Sequence, residues 1–153
     1  DVTYIRTQQG WAYLSTIKDL FDGFIVAYQF DRSQSVKLVL KTIKQATQKE
    51  KITDGLIIHS DQGHQYNSHP YHVLTNEHNM IQSMSRRGNC WDNACIESFF
   101  KSLKYEYLYP IGIMNTQETK LNLFEYIEIF YNRKRIHTSL GNRSPEEYEN
   151  NCA

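Results

Sequence analysis

The sequence has no long apolar run, no surplus of either charge and only three cysteines. No stretch approaches the roughly 20 apolar residues of a membrane-spanning helix, and no secretory signal opens the chain, so a membrane partner and export are not expected. Cys90, Cys95 and Cys152 are odd in number, form no C-x-x-C pair and have no histidine cluster beside them. That pattern argues against zinc and against a disulfide framework, and it fits a reducing cytoplasm. The six histidines have no serine and aspartate pattern around them that would suggest a hydrolase triad. Internal repeats and low-complexity segments are also missing. The formal net charge of zero argues at first sight against a polyanionic partner.

The distribution of charge weakens that last exclusion. Residues 1–80 carry eight Lys/Arg against eight Asp/Glu, residues 81–143 carry nine against six, and the last ten residues carry three Glu and no base. The middle-to-late part of the chain is therefore basic, and cations bound to carboxylates would make a nucleic-acid-facing surface more positive still. The length of 153 residues suits one domain, and 40% hydrophobic residues suffice for one core. The first residue already stands inside a strand pattern, so the chain is expected to be a domain cut from something longer.

In chain order, Asp1 to Ile5, Trp11 to Ile17 and Phe24 to Phe30 read as three strands joined by turns at Gln8-Gln9-Gly10 and Phe21-Asp22-Gly23, an antiparallel meander. Val36, Val39, Leu40, Ile43 and Ala46 then recur at helical spacing, with lysines on the other face and Ser33 or Ser35 as N-cap. Leu56 to His59 is continuously apolar, as expected in the buried middle of a sheet, and the strand–helix–strand order favours a parallel crossover. A short helix over Tyr71 to His78, a strand over Ile81 to Met84 and a mobile loop from Ser85 to Trp91 follow. A helix from about Asn93 to Tyr107 buries Ile96, Phe99, Phe100 and Leu103, and Pro110 and Gly112 end it. A second long helix, about Thr116 to Asn132, has the stripe Leu123, Phe124, Ile127, Phe130 and Tyr131. Ser144-Pro145 opens a last helical turn.

Three carboxylates stand out on this frame. Asp1 opens the first strand, Asp61 follows the Leu56 to His59 strand where open α/β sheets place ligands, and Glu97 heads a helix, with thirty-five residues between it and Asp61. Carboxylates on converging rigid elements suit hard divalent cations, and two such ions about 4 Å apart can clamp both oxygens of an in-line phosphoryl displacement. The alternative is three ordinary surface acids among seventeen. Asp19, Asp22 and Asp54 compete, but their turn positions suggest local hydrogen bonding, and Asp92 reads as an N-cap. Glu97, Lys101 and Lys104 share one helix face at i, i+4 and i+7, which suggests a phosphate-gripping ridge as well as a routine ion pair. Arg86 and Arg87 could act likewise from the loop, as could Asn93, Arg133 and Arg135. His59 and His64 flank Asp61, although a packed or loop histidine is the plainer reading of each. Gly63 could admit close backbone approach to DNA or simply make a turn. Trp11 and Trp91 read by default as core and loop-packing residues, with base stacking as the alternative for Trp91.

Several stretches together carry a family resemblance. They are Asp1-Val-Thr-Tyr-Ile5, Tyr13-Leu14 through Asp19-Leu20, His59-Ser-Asp-Gln-Gly-His-Gln-Tyr66, Ser83-Met-Ser-Arg-Arg-Gly-Asn-Cys-Trp-Asp-Asn-Ala94, Glu97-Ser-Phe-Phe100 and Leu103-Lys-Tyr-Glu106. Tyr131-Asn132, Arg135, His137, Leu140-Gly141 and Ser144-Pro145 complete the set. In these the chain resembles the catalytic domain of insertion-sequence-three family transposases, of the retroviral-integrase-like group. The resemblance implies an α/β fold of the ribonuclease H-like kind, with a mixed five-stranded sheet of three antiparallel strands followed by parallel ones, flanked by helices. It implies that residues 1–153 form one catalytic core, that Asp1, Asp61 and Glu97 are its catalytic and metal-holding set, and that two Mg²⁺ ions (or Mn²⁺) serve it. It further implies DNA partners, element ends and target, gripped in part by Lys101 and Lys104. A homo-oligomer on DNA, helix-turn-helix regions or a partner protein of the same element, and a bacterial, nucleoid-associated location complete the expectation. A hydrolytic nuclease of the same fold, or an inactive DNA-binding or assembly module, are the alternatives.

Overall fold

The computed structural model describes residues 1–86 and 90–152. The alternating β-branched and aromatic residues of the opening segment form β1 (Val2–Thr7), β2 (Gly10–Lys18) and β3 (Ile25–Asp31), paired antiparallel in the order β1-β2-β3. The first turn depends on Gly10, whose φ of +109° no L side chain adopts readily. Asp19 and Asp22 serve the second turn, as their positions predict. Asp19 Oδ1 accepts from the Phe21 N–H and Asp22 Oδ1 from the Phe24 N–H, both at 2.7 Å. Strand alternation then sorts the side chains. Ile5, Leu14 and Ile25 are buried, whereas Tyr4, Arg6 and Trp11 stand on the opposite, exposed face. Trp11 is half exposed and not the core residue its chemistry suggests, because the cross-strand partner of its position is Arg6.

The helical period that follows becomes α1 (Val36–Lys49), with the Ser35 Oγ accepting from the Leu38 N–H at 3.3 Å. It buries Leu38, Val39, Thr42, Ile43 and Ala46. Next come β4 (Ile57–Ser60), α2 (His69–Glu77) and β5 (Ile81–Met84), with β4 and β5 parallel. The parallel crossover thus runs through α2, one unit later than the sequence suggests. The five expected strands are present, hydrogen-bonded as two ladders, one of three strands and one of two. β4 is accordingly less enclosed than a buried central strand: Ile57 is largely exposed, because β4 has a ladder partner on one edge alone and a cavity of about 790 Å³ opens between the ladders.

A 3₁₀ turn, Cys90–Asn93, leads into α3 (Ala94–Ser102). The helix does not stop near Tyr107. It widens to π geometry over Leu103–Leu108 and ends as α4 (Tyr109–Ile111). Pro110 is accommodated next to these wide turns, where the Tyr109 N–H already reaches back to the Lys104 carbonyl. Gly112, at φ +93°, ends the run. α5 (Thr116–Phe124) starts at a capping box of Asn115 and Glu118 and continues as a π-helix, Glu125–Tyr131. α6 (Pro145–Cys152) closes the chain, with Ser144 and Glu147 exchanging backbone-to-side-chain hydrogen bonds at its start.

The result is layered. One cluster joins Ile5, Leu14 and Ile25 of the sheet to Ile96, Phe99, Phe100 and Leu103 of the α3 helix and to Leu123, Tyr126, Ile127 and Tyr131. The other joins Val39 and Ile43 of α1 to Tyr66, Tyr71, Leu74 and Met80. Phe124 and Phe130, expected in the stripe of the second long helix, are exposed, and Tyr126 takes the buried place. Asn132 is fully buried and ties this helix to β3. Its amide oxygen accepts from the Ile25 N–H at 2.9 Å, and its amide nitrogen donates to the Ile25 carbonyl at 3.1 Å. Replacing Asn132 with Ala leaves both backbone groups buried and unpaired. We expect a stability loss of about 3 kcal/mol, read from chemical denaturation midpoints; a change under about 1 kcal/mol would contradict this role.

Candidate active site

Asp1 stands at the head of β1 and prolongs its ladder. Its nitrogen donates to the Thr16 carbonyl and its carbonyl accepts from the Thr16 N–H, both at 2.9 Å. The Asp1 carboxylate is held on both oxygens. Oδ1 accepts from the Val2 N–H at 2.6 Å and Oδ2 from the Asn93 side-chain amide at 2.9 Å. Asn93 therefore links β1 to the segment that leads into α3, which is a reason for an amide at that position other than DNA contact.

Asp61 follows β4, as the sequence predicts, and a set of short bonds fixes the end of that strand. The Ser85 N–H donates to the Ser60 carbonyl at 2.9 Å, and the Gln62 amide donates to the Ser85 carbonyl at 3.1 Å. One strand turn earlier, His59 Nδ1 bonds Ser83 Oγ at 2.9 Å, while His59 Nε2 is buried with no partner. His59 is thus a packed histidine, and His64 is exposed. The Asp61 Oδ1 accepts from the Gly63 N–H at 2.8 Å. A Cβ on Gly63 would come within 2.9 Å of that oxygen and 3.0 Å of Gln65 Oε1. A side chain at this position would displace the Asp61 carboxylate from the Gly63 N–H. Burial first, and then the Asp61 charge, push the Tyr66 phenol pKa well above its ordinary value.

Glu97 lies in the first turn of α3, where the helix dipole favours an acid, and it is exposed. The side chains that bury α3, namely Ile96, Phe99 and Phe100, force Glu97 and Lys101 outward. The structure thus ties Asp1 to Asn93, sets Asp61 at the end of β4 and leaves Glu97 exposed. Among the described residues no three His, Cys, Asp or Glu side chains are grouped closely enough to hold an ion. The donor chemistry nevertheless suits a hard cation. Asp1 and Asp61 are oxygen donors at strand ends, and the missing side chain of Gly63 leaves room beside the Asp61 carboxylate.

Several predicted DNA contacts have structural partners. The Arg86 guanidinium grips Asp92, with Nε at 3.1 Å from Oδ2 and Nη2 at 3.1 Å from Oδ1, and this holds the Asp92 carboxyl down at about 2. Asp92 is therefore a clamp on the segment after β5 and not the cap of α3, whose N-cap is Asn93. Arg133 pairs with Glu146 at 3.5 Å. Arg135 takes Glu106 with two nitrogens, Nε at 2.7 Å, and also donates to Ser102 Oγ at 3.3 Å. Arg87 lies outside the described residues, as do Gly88 and Asn89 of the loop expected to be mobile. Lys101 is exposed and pairs with no described acid, while Lys104 lies over the Tyr4 ring at 4.5 Å. One contributor was not foreseen. A β-bulge at Ile17 and Lys18 turns Lys18 toward α3, where it donates to the Cys95 carbonyl at 3.2 Å.

Comparison with known proteins agrees with this geometry. Residues 1–90 match the sequence model of one integrase core domain family, and residues 78–145 match a second of the same description. The chain belongs to the integrase core domain family. It is 43% identical over 148 residues to an insertion element IS600 uncharacterized 31 kDa protein of Shigella sonnei, covering 97% of this chain and 54% of that protein. It is 37% identical over 150 residues to the transposase InsF for insertion sequence IS3A of Escherichia coli, covering 98% and 52%. The chain spans about half the length of these curated relatives. In three dimensions it superposes on the HTLV-2 integrase catalytic core domain, solved in complex with magnesium as a trimeric form. That match has a TM-score of 0.68 at 14% identity and covers 97% of this chain and 91% of that one. The fold is therefore the ribonuclease H-like one of integrase cores. Among the described residues no helix is long and apolar enough to cross a membrane.

The Arg135–Glu106 pair gives a pH prediction for this integrase core. The Arg135 hydrogen bonds hold the Glu106 pKa below its ordinary value of 4.5. A carboxylate lowered in the folded state contributes stability that is present above the unfolded pKa and lost as pH falls through the folded one. Wild type should therefore lose stability below pH 4.5 more steeply than Arg135→Met, measured by thermal unfolding across pH 3 to 7. The pair is partly exposed, so the difference should be modest, about 1 kcal/mol or less. Parallel curves would show that the pair contributes nothing.

Proposed function

We propose that this chain is the catalytic core of an insertion-sequence transposase, cutting and joining DNA strands by divalent-metal-dependent phosphoryl transfer. The observation that carries it is the hydrogen bond by which Asn93, at the approach to the Glu97 helix, holds the Asp1 carboxylate at the head of β1, with Asp61 at the end of β4. In an integrase core with relatives among transposases, that is where the chemistry belongs. Residues 1–153 act as one catalytic unit. Asp1, Asp61 and Glu97 would hold the cations, two Mg²⁺ by preference and Mn²⁺ as a substitute. Bound cations supply neutralisation of phosphate charge and a lowered pKa for the attacking oxygen.

The chain's own residues supply position. Water attacks the phosphodiester at the element's end, a P–O bond forms, and the bond to the leaving 3′ oxygen breaks to free a 3′-hydroxyl. That hydroxyl then attacks a second phosphodiester in the same way, with no covalent link to the protein. Lys101 and Lys104, on the face of Glu97, grip the phosphates next to the reacting one. Glu97, in the first turn of α3, would be the third carboxylate of that set. DNA ends and target are the partners, a homo-oligomer on DNA pairs the two ends, and helix-turn-helix regions or a partner protein select them.

Joining of pre-cut ends into target DNA is the deciding assay. Wild type should join, and Asp61→Asn should lose at least about a thousandfold in rate, several kcal/mol of transition-state stabilisation, while remaining folded. Cleavage without joined product would favour a plain nuclease. In calorimetry with Mn²⁺, wild type should bind and Glu97→Gln should bind more weakly. Absent or equal binding would favour an inactive DNA-binding module.

A further inference from the structure

The exposed face of the β1–β2 hairpin carries three side chains, and the helix after α3 a fourth beside them, that the proposed chemistry does not use as a set. Tyr4 and Trp11 are 60% and 50% exposed, with ring centroids 5.2 Å apart at an interplanar angle of 89°. The Lys104 ammonium lies 4.5 Å from the Tyr4 centroid, and the Arg6 guanidinium 5.2 Å from that of Trp11. Burial lowers the Lys104 pKa from its ordinary value. The order in space is Lys104, Tyr4, Trp11, Arg6: a strip of alternating cations and aromatic rings open to solvent.

Such a surface is costly to leave in water without use, and its charge narrows the ligand. No ion pair to an acid occupies Arg6 or Lys104 among the described residues, and the nearest acid on this face, Asp31, is opposite Tyr13 one strand further on and accepts from the Ser33 N–H. Rings stack on bases and the cations between them meet phosphates, which is the chemistry of single-strand recognition. The strip is also continuous with the proposed active site. Lys104 is the last member of the Glu97, Lys101, Lys104 face, about 10 Å along the helix from the acid.

We propose that this strip binds an unpaired DNA strand adjoining the reacting phosphate, Tyr4 and Trp11 stacking on its bases while Lys104 and Arg6 hold its backbone. The inference rests on the transposase reading above. It gives the core a means of holding a frayed or nicked end open. Because rings stack on any base, the strip is indifferent to sequence.

The test uses the whole chain, without divalent metal, and two probes: a blunt duplex and the same duplex with an unpaired oligo-deoxythymidine tail. With Trp91→Phe as background, Trp11 is the single tryptophan. Its fluorescence should be quenched by the tailed probe and little changed by the blunt one. Tyr4→Ala and Trp11→Ala should each weaken tailed-probe binding about 5- to 100-fold and blunt-probe binding less than twofold. Trp11→Phe should restore most of the affinity, and circular dichroism should show each variant folded. Equal losses on both probes, or unchanged tailed-probe binding, overturn the proposal while leaving the transposase reading intact. Wild type that binds neither probe overturns both. Variants that change the oligomeric state in sedimentation without changing tailed-probe affinity would make the strip a protein interface and overturn the proposal.

Discussion

The rotational setting of the helix that begins at Ala94 governs the site. Ile96, Phe99, Phe100 and Leu103 are buried against the sheet and the second long helix, with Phe99 packed edge-on to Tyr131 at 4.8 Å. With that side fixed inward, the 3.6-residue period gives no freedom to Glu97 and Lys101, which must line the opposite side, and Lys104 follows in the π-helical turns. Polar restraints act on the same helix from outside the core. Lys18 holds its first turn through the Cys95 carbonyl, and Arg135 holds its middle through Ser102 and Glu106. Apolar burial decides which way the helix faces, and these bonds limit how far it slides.

The strand ends meet the helix on different terms. Asp1 is tied into the ladder by two backbone bonds and to Asn93 by a third, while Asp61 is set by the serine and glutamine bonds that join the ends of β4 and β5. β4 and β5 are not hydrogen-bonded to the β1–β3 ladder. The two acids therefore belong to separately braced units, one at the head of β1 and the other at the end of β4.

Much of this arrangement was legible in the chain. The five strands, α1, and the buried side of α3 follow from periodicity because burial and pattern agree there. So do Asp19 and Asp22, whose turn bonds are local. What periodicity could not supply was partner identity. Asp92 looks like a cap because it precedes a helix, yet Arg86, six residues earlier, reaches it first with a two-pronged grip. Trp11 looks like core until the register places it opposite Arg6. Tyr126 and Phe124 exchange their expected places because the π-helical turns after Phe124 change the angular spacing that a regular helix would give. Apolar content made Leu56 to Ile58 look like a central strand, although the edge it presents borders a cavity.

The pairing pattern also resolves the zero net charge. Of the predicted DNA contacts, Arg86 is held by Asp92, Arg133 by Glu146 and Arg135 by Glu106, and away from them Lys49 is held by Glu128. These pairs cancel locally and contribute little field at a distance. Lys101, Lys104 and Arg6 have no such acid, and they lie along the α3 face and the hairpin beside it. A whole-chain sum averages paired and unpaired charge together, whereas a polyanion responds to the unpaired part. Among the described residues Lys101, Lys104 and Arg6 stand together without an ion pair, so a polyanion reaching that face would meet positive charge despite the zero sum.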